Sequence, residues 1–339
     1  MTVMTAVIPN TGAETMKAIA QAEYGAPEVM NLVEVAKPTP QADEVLIKVR
    51  SASVDAGVWH LMRGTPFLIR LIYGGLRRPK YPIVGSAIAG EVEAVGANVS
   101  QFQPGDLVFG DLSASGFGGF AEYVCAPAKA LAAKPQNLDF EAAATVPVSG
   151  VSALQALRDV GQLQSGQRVL VIGAAGGVGS FAVQIAKALG AEVIGVCSAH
   201  KIGQVQQLGA DLVIDYTHPE LTQPAEPYDL ILDTAAYRDF IDYLPALKPG
   251  GTYVMVGGST PAFFRAMLLG SWIGKRRDRQ VKSFAAAPKQ ADLLTLKEMI
   301  EAGQVTPLCD HTYPLSQVPD AIRALEQRQV TGKVAIAIA

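Results

Sequence analysis

The stretch from Arg168 to Ser198 constrains this chain more than any other. Arg168-Val-Leu-Val-Ile-Gly173 reads as a buried strand, Ala174-Ala-Gly-Gly-Val-Gly179 as a tight turn, and Ser180 to Leu189 as a helix. A second apolar run at 193–197 follows. A strand entering a helix through a glycine turn aims backbone N–H groups, and the positive end of the helix, at whatever lies before the turn. That suits a pyrophosphate, so the chain is expected to bind a dinucleotide. Gly176 lets the backbone approach the phosphates and Gly179 lets helix and strand pack closely, with Ala175, Gly177 and Val178 completing the cradle. The first glycine of the usual G-x-G-x-x-G is Ala174 here, so the specificity comes from the strand-turn-helix-strand setting.

Cofactor choice is read at the end of the next strand, where Asp or Glu would bind a ribose 2′-hydroxyl. Cys197-Ser198-Ala-His-Lys201 carries no acid. Ser198 and Lys201 suit a 2′-phosphate, which favours NADPH (NADP+), although Lys201 also reads as a surface lysine opening a helix. Tyr216, just after Leu212-Val-Ile-Asp215, is placed to flank the phosphate or adenine, or simply to pack. Asp233-Thr-Ala235 and Val256-Gly257-Gly258 end later strands on the edge where open α/β sheets bind ligands, with Gly257 expected along the nicotinamide ribose.

The remaining pattern agrees with an α/β fold. Apolar runs at 169–172, 193–197, 229–232 and 252–256 read as buried parallel strands, with helical stretches near 178–189, 201–208 and 237–247 between them. This predicts a doubly wound parallel sheet. Residues 259–282 read as irregular, followed by a helix from Lys289 to Ala302 and a last strand from Lys333 that returns to the first domain. Before about residue 135, short β-type runs separated by Gly and Pro predict a mostly-β domain. The expected division is a 1–15 extension, a β domain of 16–138 with 306–339, and a dinucleotide-binding domain of 139–305.

With 49% hydrophobic and 17% charged residues the chain can build a substantial core, and a net charge of −3 gives no global field for nucleic acid. Lys275-Arg276-Arg277 reads as a solvated surface turn rather than as a phosphate or membrane patch. Cys125, Cys197 and Cys309 are dispersed, which fits a reducing, cytoplasmic setting. The first fifteen residues lack a signal-peptide pattern, and no apolar run is long enough to span a bilayer. Phe263 to Ile273 comes nearest but is short and contains Arg265.

Several further motifs occur in order: Met16-Lys-Ala-Ile with Tyr24-Gly-Ala-Pro-Glu28, Pro82 to Gly90 (PIVGSAIAG), Val95-Gly96, Gly105-Asp106 and Ala143 to Leu154 (AATVPVSGVSAL). Together with the glycine turn they resemble the medium-chain dehydrogenase/reductase superfamily, in its zinc-free, quinone oxidoreductase-like branch, from Met16 to the C-terminus. The resemblance implies a GroES-like catalytic domain beside a Rossmann domain, a homodimer, and hydride transfer from NADPH to a quinone or α,β-unsaturated carbonyl. A carbonyl or alcohol dehydrogenase working without zinc, or a non-catalytic NADPH-binding sensing or interaction protein, remain the alternatives.

Zinc-dependent relatives carry Gly-His-Glu where this chain has Gly85-Ser86-Ala87, a ligand cysteine near Val54, and a four-cysteine lobe absent here. A zinc site needs three or four converging ligands, so no metal is expected. Quinone-reductase-like relatives carry Asn, Asp and often Tyr in the loop after the second strand, at positions held here by Asp55, Val58 and His60. His60 is a candidate proton donor or a histidine hydrogen-bonded within its loop, and Asp55 suits a bracing or cofactor-side role better than catalysis. Ser283-Phe284 and Gly332-Lys333 resemble closing cofactor contacts. Trp59, Phe67 and Tyr73, with Phe263 and Trp272, read either as packing or as walls of a cleft for a small hydrophobic substrate.

Overall fold

The computed structural model describes residues 14–73, 75–218, 221–257 and 260–339. Two compact units emerge: Met1–Val148 with Pro288–Glu301 and Cys309–Ala339, and Ser149–Ala287 with Ala302–Leu308. The division at 148/149 lies ten residues beyond the one expected from sequence, and the expected 306 return begins at 309. The segment 288–301 also joins the first unit, because Gln290 donates to the Leu131 carbonyl at 2.6 Å and Asn137 donates to the Ile300 carbonyl at 2.9 Å.

In the first unit β1 (Thr15–Gln21) and β2 (Met30–Ala36) form an antiparallel pair. A seven-stranded sheet holds β3 (Glu44–Val54), β4 (Ala87–Val95), β5 (Leu107–Asp111), β6 (Tyr123–Pro127) and β7 (Leu131–Ala133), joined late in the chain by β14 (Cys309–Pro314) and β15 (Lys333–Ala337). Its core gathers Val45, Ile47 and Val49 of β3 with Ile88, Val92, Val108 and Ile336. The last strand, β15, pairs antiparallel with β3. Helices α1 (Ala56–Arg63), α2 (Phe67–Ile72), α3 (Phe140–Ala144), α9 (Gln290–Glu301) and α10 (Val318–Glu326) belong here, and α4 (Val146–Gln155) carries the chain into the second unit.

The second unit is built on six parallel strands: β8 (Arg168–Ile172), β9 (Glu192–Cys197), β10 (Leu212–Asp215), β11 (Tyr228–Asp233), β12 (Leu247–Met255) and β13 (Gln280–Ser283). Their spatial order, β10-β9-β8-β11-β12-β13, is that of a dinucleotide-binding sheet, with the crossover point between β8 and β11. Val169–Ile172 and Val193–Val196 are buried throughout, which is why they read as continuous apolar runs rather than alternating ones. Helices α5 (Gly177–Ala188), α6 (Ile202–Gln207), α7 (Phe240–Tyr243) and α8 (Thr260–Arg276) complete the unit.

Residues 259–282 are not irregular as expected, since α8 and β13 occupy most of them. Gly270 and Gly274, which look like helix breakers, are instead where the helix meets the strand. A Cβ on Gly270 would lie 2.5 Å from Val281 Cγ1, and one on Gly274 2.8 Å from the Arg279 carbonyl oxygen. The helix predicted over 237–247 shortens to α7, capped by Asp239 accepting from the Ile241 N–H at 3.1 Å.

Candidate cofactor site and active-site loop

The carboxyl edge of the parallel sheet gathers every predicted cofactor residue except Lys333. After β8, Gly173 takes a left-handed conformation (φ 82°), and the Gly173 and Ala174 N–H groups both donate to the Val196 carbonyl, at 3.0 and 2.9 Å. This pins the turn to β9. Gly176 is the N-cap of α5; no side chain caps the helix and its first turn holds no acid. The amides of Gly177, Val178 and Gly179 are therefore left to an external anion, which is the condition a pyrophosphate requires. A Cβ on Gly179 would lie 2.1 Å from the Gly173 carbonyl oxygen, so only glycine fits there.

Ala174, the departure from the glycine pattern, is fully buried. Its methyl is accommodated by Gly195 on β9, whose own Cβ would sit 3.3 Å from the Ala174 Cβ and 2.6 Å from Val205 Cγ1. Gly195 went unrecognised in the sequence because a glycine inside a strand normally reads only as a weak point.

At the end of β9, Ser198 precedes a short 3₁₀ turn (Ala199–Lys201) without capping it by its side chain, and the Lys201 N–H donates to the Ser198 carbonyl at 2.9 Å. Cys197 is buried, and burial pushes its thiol up to about 11; Asp215 adds to that rise and Lys201 opposes it. Asp215 corrects the expectation that no negative charge lies near this strand end. It pairs in register with Cys197, and its carboxylate, held below the usual range by the Thr217 hydroxyl and amide, also accepts from the Ala199 N–H. Tyr216 is more than one third exposed at 38%, with its ring 4.8 Å from that of Tyr237, a partner not anticipated from sequence.

Asp233 ends β11 as an internal brace. Its Oδ1 accepts from the Ala235 and Ala236 N–H groups at 3.0 and 2.7 Å, and its Oδ2 from the Tyr253 hydroxyl at 2.6 Å. Burial raises its pKa against those bonds. Gly257 follows β12, where a Cβ would lie 2.8 Å from the Thr234 carbonyl oxygen; Gly258 lies outside the described residues. Ser283 pairs with Met255, and the Phe284 N–H donates to the Met255 carbonyl at 2.9 Å.

The first unit holds a separate buried polar cluster. Asp55 caps α1: Oδ1 accepts from the Val58 N–H and Oδ2 from the Ser86 hydroxyl, each at 3.1 Å. Lys333, read from sequence as a cofactor contact, is buried on β15 and donates to the Val54 carbonyl at 2.8 Å. Desolvation lowers its pKa while Asp55, Cys309 and Asp111 oppose that. Asp111, not singled out from sequence, is buried at the end of β5 and its carboxyl is pushed up to about 6, chiefly by desolvation. His60 lies in the last turn of α1 with Nδ1 2.7 Å from the Thr65 carbonyl oxygen. A carbonyl only accepts, so Nδ1 carries the proton of that bond.

The predicted substrate residues are divided between the two units. Trp59 donates its indole N–H to Glu326, which also pairs with Arg63, and packs against the first unit's core. Phe67 and Tyr73 of the first unit are exposed, and the Tyr73 ring meets Phe117 edge-on at 5.6 Å. In the second unit Phe263 packs against the core around β11 and β12, whereas Trp272 is exposed beneath the Arg276 guanidinium.

Comparison with known proteins places these features. Residues 41–136 match the alcohol dehydrogenase GroES-like domain family, and 208–336 match a family described as zinc-binding dehydrogenase. The chain is 33% identical over 316 residues to the chloroplast envelope quinone oxidoreductase homolog of Arabidopsis thaliana, covering 90% of this chain and 92% of that one. It is 31% identical to the NADPH-dependent alkenal/one oxidoreductase of the same plant, over 95% of this chain and 79% of that one. The solved quinone oxidoreductase from Coxiella burnetii superposes with a TM-score of 0.86 at 28% identity, covering 96% of this chain and 100% of that one. The zinc implied by the second family's description does not fit the side chains present. Among the described residues no three His, Cys, Asp or Glu side chains are placed to hold a metal ion together, and Ser86 is engaged with Asp55. With a GroES-like domain, a six-stranded dinucleotide-binding sheet and relatives matching across nearly its whole length, the chain belongs to the quinone oxidoreductase-like branch of the medium-chain dehydrogenase/reductase superfamily.

Proposed function

We propose that this chain is an NADPH-dependent oxidoreductase that reduces a quinone or α,β-unsaturated carbonyl without a metal ion. The observation that carries the proposal is the uncapped N-terminus of α5 on its glycine turn, one strand away from Ser198 and Lys201. The Gly177 to Gly179 amides bind the pyrophosphate, and Ser198 and Lys201 hold the 2′-phosphate. Tyr216 flanks the adenine end, while Gly257, Ser283 and Phe284 border the nicotinamide end. When bound, NADPH supplies the hydride, and a proton completes the reduction.

His60 is the proposed proton donor, and its geometry sets the condition. With Nδ1–H held by Thr65, Nε2 can give up a proton only from the doubly protonated ring. Asp55 keeps a positioning role, since both of its carboxylate oxygens are engaged. Phe67, Tyr73 and Phe263 are assigned to the apolar substrate side. Homodimers form through the outer strand β13 of the parallel sheet.

The relatives named for quinone and alkenal/one reduction support the reaction class. The test is oxidation of NADPH against a panel of quinones, enones and aldehydes, repeated with NADH and with a chelator. Turnover with quinone or enone that survives chelation is expected. Lys201→Ala is expected to raise the KM for NADPH about 10- to 100-fold, the worth of one charge-assisted hydrogen bond, with the NADH KM unchanged. Equal losses with both cofactors would remove the phosphate assignment, and binding without turnover of any acceptor would remove the reaction.

A further inference from the structure

Helix α8 has an inner face occupied by β13 and an outer face that nothing in the proposed reaction uses. Ala266 is buried, and Gly270 and Gly274 abut Val281 and Arg279. Outward, Met267, Leu268, Leu269 and Trp272 are 47%, 72%, 46% and 57% exposed. Four of the fifteen exposed large hydrophobic residues among those described thus fall within six consecutive positions. Leu268, Trp272 and Arg276 stand four apart and form one exposed stripe.

The charge on the helix itself has one sign, although Asp278 follows in the turn after it. No Asp or Glu occurs between Thr260 and Arg277, although the chain as a whole carries −3. Arg265 is paired with Asp239, and Arg279 is spent on the carbonyls of Arg277 and Asp278. Lys275 and Arg276 have no carboxylate partner among the described residues, and the Arg276 guanidinium lies 3.9 Å from the centre of the Trp272 ring. Tryptophan, leucine and unneutralised cations on one helix face match the headgroup layer of an anionic bilayer. A second copy of the helix would offer Lys275 and Arg276 no carboxylate. The helix can lie on a bilayer but cannot cross it: among the described residues no helix is long and apolar enough to span.

We propose that α8 docks this protein onto anionic lipid surfaces, with Leu268 and Trp272 inserted and Lys275 and Arg276 on the headgroups. The proposal is independent of the reaction assigned above. Its test is co-sedimentation of the full chain with phosphatidylcholine vesicles containing or lacking phosphatidylglycerol. Binding to the anionic vesicles alone, weakened by salt, is expected. Tryptophan emission should shift to the blue and be quenched by brominated lipid, a reading that needs no variant. Each surface cation is worth about fivefold in partitioning, so Lys275→Gln with Arg276→Gln should weaken binding roughly 25-fold. Lys129→Gln with Arg328→Gln, the same charge change elsewhere, should leave it within about twofold. Absence of binding to anionic vesicles, equal weakening by both pairs, or unquenched tryptophan in bound protein overturns the proposal. So does conversion of an oligomer to monomers by the α8 pair in light scattering, which makes the face a subunit interface.

Discussion

Replacing Asp111 with Asn should stabilise the first unit at neutral pH, with a gain that shrinks on acidification. Asp111 is buried, and its carboxyl is pushed from the ordinary 3.8 up to about 6. A raised carboxyl pKa means that folding favours the protonated form. The associated stability is complete below the unfolded value, falls as pH rises between 3.8 and about 6, and is gone above that. The shift of about two units corresponds to about 3 kcal/mol forgone at pH 8, and about 1 kcal/mol at pH 4.5. Asparagine keeps an oxygen to accept from the Ser113 N–H, now at 2.8 Å, and never ionises. The favourable pull of Lys333 is already contained in the value of about 6. The assay is urea unfolding of Asp111→Asn and its parent at the two pH values. In a Trp272→Phe background, Trp59 is the sole tryptophan and reports the first unit alone. A gain that is equal at both pH values, or a loss at pH 8, refutes the reasoning.

Other substitutions test the sheet edge. Gly179→Ala places a Cβ 2.1 Å from the Gly173 carbonyl oxygen, so calorimetry should register about 3 kcal/mol lost from the second unit, with NADPH binding lost as well. Asp233→Ala strands two amides and the Tyr253 hydroxyl and should cost roughly 3–5 kcal/mol in denaturant titrations, whereas Asp233→Asn should cost about 1 kcal/mol because the amide can still accept from both N–H groups. Asp215→Asn removes the carboxylate beside Ala199 and should lower the KM for NADPH severalfold without changing that for NADH; an unchanged ratio would place Asp215 outside the reach of the 2′-phosphate.

How legible a feature was in the sequence depended on whether its cause was local. The strands β8, β9, β11 and β12 announce themselves because both faces of a parallel sheet are covered, which forces continuous apolar runs. Helix α8 does not, because Gly270 and Gly274 lower helix propensity and only their close approach to Val281 and Arg279 in the folded unit explains them. Asp215 escaped for a related reason: reading cofactor choice along one strand ignores its neighbour, and parallel register brings β10 level with Cys197. The partner of Lys333 is not legible either, because position after a glycine says nothing of which side of β15 it faces, and there it donates to the Val54 carbonyl.

Two departures from the family pattern carry different weight for the same reason. Ala174 stands where the first glycine is usual, yet the phosphate-facing turn depends on backbone path. That path survives because Gly195, on the adjacent strand, leaves room for the methyl group. The change is compensated within the sheet, and binding is expected to persist. In the α1 loop, Asp55 and His60 stand where relatives carry Asn and Tyr, and what those positions do depends on the side-chain atoms themselves. Both Asp55 oxygens are consumed in holding α1 and Ser86, and His60 spends one nitrogen on Thr65. What the loop retains for chemistry is therefore a single imidazole nitrogen, able to donate only when the ring is cationic. Turnover that depends on it should fall about 100-fold or more in His60→Ala, measured as kcat with NADPH and a quinone or enone. An unchanged kcat would leave protonation of the product to solvent.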